Sequence, residues 1–115
     1  MPIPSEIQSI INRLNQELDR TEENATEGLN LVRLPLSLFP DNLILVQFFA
    51  YLNNVIFFVG NYRRQIQGAI ERLSVSDVNA AEIQETGEEL ATMLGVLLEA
   101  KIRVEQIITR LRNLP

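Results

Sequence analysis

The chain has 115 residues, with ten basic side chains against fifteen acidic ones and no histidine, cysteine or tryptophan. A single domain over residues 1–115 accounts for that length, and 46% apolar with 22% charged residues suits a chain that folds around a core. The missing residues exclude disulfides, thiolate nucleophiles and histidine general bases, and a net charge of −5 argues against gripping a phosphate backbone, so no nucleic acid is expected.

The opening Met1-Pro2-Ile3-Pro4-Ser5-Glu6 has neither a basic segment nor an apolar run, so no secretory signal is expected and the chain reads as cytoplasmic. A first helix is predicted from about residue 5 to 33, with Ser5 as its cap and Gln8 at the capping-box position. Ile7, Ile11, Leu14, Leu18, Thr21, Ala25, Gly28 and Val32 follow alternating steps of four and three, a coiled-coil-like seam. Its second half is small, so a neighbour can approach closely there. Arg13, Glu17, Arg20 and Glu27 fall outside the seam. Pro35, Pro40, Asp41 and Asn42 then predict a connection over residues 34–42. That connection carries Leu34, Leu36, Leu38 and Phe39, which need covering.

A second helix is predicted over about 42–73, capped by Asp41 or Asn42. Leu45, Phe49, Leu52, Ile56, Val59, Ile66, Ile70 and Leu73 form one seam. Ile44, Phe48, Tyr51, Val55, Phe58 and Tyr62 form a second beside it, as expected of a middle helix with two neighbours. A third line, Leu43, Val46, Ala50, Asn53, Phe57 and Gly60, is surplus to both. Only Gln47, Asn54 and Asn61 make a polar line. As a helix, Leu43–Val59 would be about 25 Å long, short of a hydrocarbon core of roughly 30 Å. The adjacent Asn53 and Asn54 also disfavour a membrane span.

After Ser74-Val75-Ser76-Asp77, a third helix is predicted over about 79–113. Asn79 caps it, Glu82 stands three residues on, and Val78 is placed to staple onto Ile83. Its seam is Ile83, Gly87, Leu90, Leu94, Leu97, Lys101, Val104, Ile108 and Leu111. Gly87, Ala91 and Gly95 form a small-residue ladder, expected to pack closely against Gly60 and Gly68. Lys101, the only lysine, is expected to snorkel toward Glu99 and Glu105.

Little here supports chemistry. Glu82, Glu85, Glu88 and Glu89, like Glu22, Glu23 and Glu27, read as solvated helix faces, so no metal or cofactor is expected. Ser5, Ser37, Ser74 and Ser76 sit at caps and turns without a histidine to activate them, so no enzyme is expected. Pro4-Ser5-Glu6-Ile7-Gln8, Leu14-Asn15-Gln16-Glu17-Leu18 and Phe39-Pro40-Asp41-Asn42 resemble small bacterial all-helical proteins of uncharacterised function. Some of those are labelled specificity subunits of type I restriction enzymes. The resemblance implies a helical spacer at most, with no target-recognition domain and no functional residue carried over.

The expectation is therefore an all-α, antiparallel bundle of three long helices, completed by oligomerisation. Running up, down and up, the helices gather the surplus apolar residues at one end. Leu36, Leu38, Phe39, Leu43, Val46, Phe48, Ala50, Tyr51, Asn53, Asn54, Phe57 and Phe58 are the candidate interface. A homodimer is favoured, with Gln47, Asn53 and Asn54 setting register, and a different protein partner is the rival. The expected function is a non-enzymatic interaction or scaffolding module. An accessory subunit of a larger assembly, membrane-associated or linked to restriction-modification, is the alternative, followed by a small-ligand or metal-binding bundle.

Overall fold

A computed structural model describes residues 3–75 and 77–114; Met1, Pro2, Ser76 and Pro115 lie outside the described residues. Three helices, α1 (Ser5–Leu38), α2 (Leu43–Leu73) and α3 (Ala80–Arg112), form an all-α antiparallel bundle of 58 × 18 × 17 Å. Cross-helix ion pairs fix the directions. Arg63 of α2 meets Asp19 and Glu22 of α1, and Lys101 and Arg112 of α3 meet Glu17 and Glu27 in the same order along α1.

All eight residues of the α1 seam are buried. This regularity makes α1 the helix shared by both neighbours, while α2 and α3 meet each other less closely. The expectation that the second helix is the middle one is corrected on this point. Leu14, Leu18, Leu52, Leu97, Val32, Val59 and Val104 are fully enclosed in the core. Burial of such side chains is worth roughly 1.5–3 kcal/mol each.

The first helix does not stop at residue 33. It continues through Leu34-Pro35-Leu36-Ser37-Leu38. Proline in a last turn removes one hydrogen-bond donor while its fixed φ still suits a helix. The Phe39 N–H closes the end on the Pro35 carbonyl at 2.9 Å, and Leu31 and Leu36 pack against the core. The connection to α2 is thus reduced to a tight turn, in which the Asn42 N–H donates to the Phe39 carbonyl at 3.1 Å.

Caps divide in the same way between expectation and correction. Asn42 Oδ1 accepts from the Leu45 N–H at 3.1 Å, and Asn79 Oδ1 accepts from the Glu82 N–H at 2.9 Å. Ser5 is not a cap. Pro4 holds that position and supplies its carbonyl to the Gln8 N–H at 2.9 Å, so Ser5 is already helical.

Close approach occurs at Gly28, where a Cβ would lie 2.9 Å from Leu52 Cδ1. The Gly87–Ala91–Gly95 ladder is corrected. Gly87 meets Ile7, but Ala91 is exposed and a Cβ on Gly95 would meet nothing within 4 Å. Helix α3 turns Leu90, Met93 and Leu97 inward instead, which carries the rest of the ladder outward.

Candidate interaction surface

The two ends of the bundle are built differently. From Gly60 onward α2 is amphipathic, and two of its charges, Arg63 and Arg72, reach neighbouring helices. Arg63 bridges Asp19 and Glu22, each at 2.8 Å, and Arg72 stands 3.5 Å from Glu89. The hydrogen bond to Glu22 and the contact with Asp19 push the Arg63 guanidinium pKa up despite partial burial. Toward the other end Glu27 is paired with Arg112. Among the described residues no three carboxylates converge in a way that would hold a metal ion.

Midway along, Glu17 is buried although its position lies beside the seam. Its Oε2 stands 2.9 Å from Lys101 Nζ, an ion pair poorly aligned as a hydrogen bond. The polar contact with Lys101 outweighs desolvation and holds the Glu17 carboxyl below the usual range. The expected partners of Lys101, Glu99 and Glu105, are therefore replaced by a residue on another helix. Thr21 Oγ1, one turn from Glu17, is buried without a hydrogen-bond partner. Nothing in the spacing of Glu17 announces its burial. Only the lone lysine on the opposing seam hinted at a missing counter-charge.

Toward the other end the twelve candidate interface residues fall into three groups. Leu36 is half-buried against the core, whereas Leu38 and Phe39 are exposed at the α1–α2 turn. Phe48, Tyr51, Asn54 and Phe58 lie on the side of α2 that approaches α3. There Arg103 stacks 4.8 Å from the Tyr51 ring centre, Arg110 stacks 5.4 Å from that of Phe48, and Phe58 packs on Tyr62 at 4.1 Å. Such cation–π contacts are worth about 0.5–1 kcal/mol where partly exposed. Burial pushes the Tyr51 and Tyr62 phenols up, partly offset at Tyr51 by Arg103. Tyr51, Asn54 and Phe58 also line an open groove of about 550 Å³ between α2 and α3.

The third group is the surplus line. Leu43 is 67% exposed, Val46 41% and Phe57 74%, with Ala50 also exposed between them. Phe49, which its spacing assigns to a buried seam, joins this surface at 39% exposure. Leu43 to Phe57 is a stripe of about 21 Å at 1.5 Å per residue. Asn53 is half-buried on it, and its amide already donates to the Phe49 carbonyl at 3.1 Å. No charged residue stands between Asp41 and Arg63.

Compared with protein-family models, curated proteins and solved structures, the chain matches none of them. A single feature also bears on membranes. Helix α2 contains an 18-residue window of mean hydropathy 1.9, of which 22% is buried in the bundle. The same window includes Gln47, Asn53 and Asn54, whose side-chain amides lipid cannot satisfy.

Proposed function

We propose that this chain is a non-enzymatic interaction module that self-associates through the outward face of α2. The observation that carries the reading is the exposed stripe Leu43–Val46–Ala50–Phe57, on a helix whose opposite face already fills the core. Contiguous apolar surface of this kind on a soluble bundle marks a surface that another molecule covers. The absence of charge between Asp41 and Arg63 suits a second copy of the same chain, because self-pairing there brings no like charges together. A carboxylate-rich or cation-rich partner would find nothing to pair with on this face.

Light scattering across a concentration series tests the proposal. The wild type is expected to reach twice the monomer mass, and Phe57→Asp to remain a monomer with unchanged helical circular dichroism. A wild type that stays a compact monomer at the highest concentration overturns self-association. Flotation of that monomer with lipid vesicles would assign the face to a bilayer instead.

A further inference from the structure

Resting on the self-association reading, we infer that the second copy lies antiparallel, with the two-fold axis passing beside Ala50. The stripe on α2 is nearly symmetric about that residue, with members seven and four residues before it and three and seven after it. In an antiparallel helix pair, facing positions have a constant sum, and a sum near 100 sets Leu43 against Phe57 of the second copy. It sets Ala50 against itself and brings Val46 within one residue's rise of Asn53, their sum being 99. The smallest side chain of the stripe then sits where the helices cross, and the larger ones sit outward from it. The axis keeps each flank on its own side. Gln47 therefore faces Asn54 of the second copy, two amides able to donate and accept across the pair. On the other flank the two Phe49 side chains come together. Asn53 has one amide hydrogen on the Phe49 carbonyl and keeps its second N–H and its Oδ1 for the pair.

Charge along the bundle decides between antiparallel and parallel. Residues 1–26 with 58–95 hold eleven carboxylates and five cations, whereas residues 27–57 with 96–115 hold four carboxylates and five cations. A parallel pair would lay two strongly acidic halves side by side. The antiparallel pair overlaps the near-neutral halves and points the acidic ones apart. From Ala50 to Leu73 is about 35 Å along each helix, several Debye lengths at physiological salt. Parallel pairing would also stack Phe57 on Phe57 and Leu43 on Leu43, leaving the crossing at Ala50 without a symmetric role.

The cysteine-free chain makes the test clean. Packed helices lie about 8–10 Å apart with Cα atoms at about 2.3 Å radius, which brings two facing Ala50 Cα atoms within disulfide reach. Ala50→Cys is expected to convert almost completely to a disulfide-linked dimer under mild oxidation. Leu43→Cys and Phe57→Cys are each expected to stay monomeric on denaturing gels when oxidised alone, and to cross-link when the two variants are mixed. Cross-linking of Leu43→Cys with itself would establish a parallel pair and overturn the inference. So would a chain of dimeric mass whose Ala50→Cys variant stays reduced, although self-association would then stand. A wild type of monomeric mass overturns self-association itself. Circular dichroism of each variant confirms that the exposed substitutions leave the helices intact.

Discussion

From Gly60 to Leu73, α2 buries Ile66, Ala69 and Leu73 and turns Arg64, Gln67 and Glu71 to water. From Leu43 to Val59 the same helix buries Leu45, Leu52, Val55 and Val59, yet also turns Leu43, Val46 and Phe57 to water. Both halves lie on the same two neighbours. The difference therefore does not come from the packing inside the chain, which uses one side of α2 along its whole length. It lies in what the remaining side is made of. The lower half ties Arg63 to α1 and Arg72 to α3 and covers the rest of its outer side with polar residues. The upper half carries a second apolar face that none of the described residues covers.

The largest effect should separate the two faces directly. Leu97 is fully buried against the core, so Leu97→Ala should cost about 2–5 kcal/mol in urea unfolding. Phe57→Ala, measured at a dilution where the chain is monomeric, should change stability by no more than about 0.5 kcal/mol. At high concentration it should instead lower the midpoint, because the proposed self-association would stabilise the wild type by mass action. Comparable losses for the two variants in the dilute monomer would break the comparison, since Phe57 would then be part of the fold.

A middle-sized effect concerns the ion pair between the halves. Lys101→Met leaves the Glu17 carboxylate largely buried without a counter-charge, and should cost about 1–3 kcal/mol. Adding Glu17→Gln should recover most of that loss. The pH dependence follows from the lowered Glu17 pKa. The pair contributes fully above the ordinary carboxyl value of 4.5 and loses its contribution as pH falls through the lower folded-state value. Chemical denaturation between pH 6 and 3 should show a decline that flattens in Glu17→Gln. An unchanged slope in that variant would remove Glu17 from the account.

The smallest effects come from two glycines. Gly28→Ala forces a Cβ to 2.9 Å from Leu52 Cδ1 in a filled core, and should cost about 1–2 kcal/mol. Gly95→Ala has open space and a helical backbone, and should stabilise by about 0.5–1 kcal/mol. Thermal melts read both. A stabilised Gly28→Ala variant would mean that α1 and α2 are not held at the close distance the bundle requires.

Much of this was legible from residue order. The α1 seam is buried at every expected position, and two asparagines cap the helices that they precede. Those features depend on a period or a local hydrogen bond, which a linear sequence contains. The persistence of α1 through Pro35 was not legible, because a local breaker signal yielded to the packing of Leu31 and Leu36 against the core. The burial of Glu17 was hidden for a related reason: it depends on which residue of α3 comes opposite. Phe49 shows the same limit in reverse. Its spacing places it on a buried seam, and the rotation of α2 against α1 and α3 leaves it on the outer surface.

Sequence by itself determined three long amphipathic helices, the asparagine caps of the second and third, the excess of apolar residues in the first half of α2 and the concentration of acids away from it. Those are properties of composition and period, each read within one element. Tertiary structure decided that α1 is the shared helix, that Glu17 pairs with Lys101, and that the excess faces water on the side of α2 opposite the core. These depend on how three cylinders rotate about their own axes to fill one interior. That choice is made by the whole set of contacts together, and no single helix carries it in its order of residues.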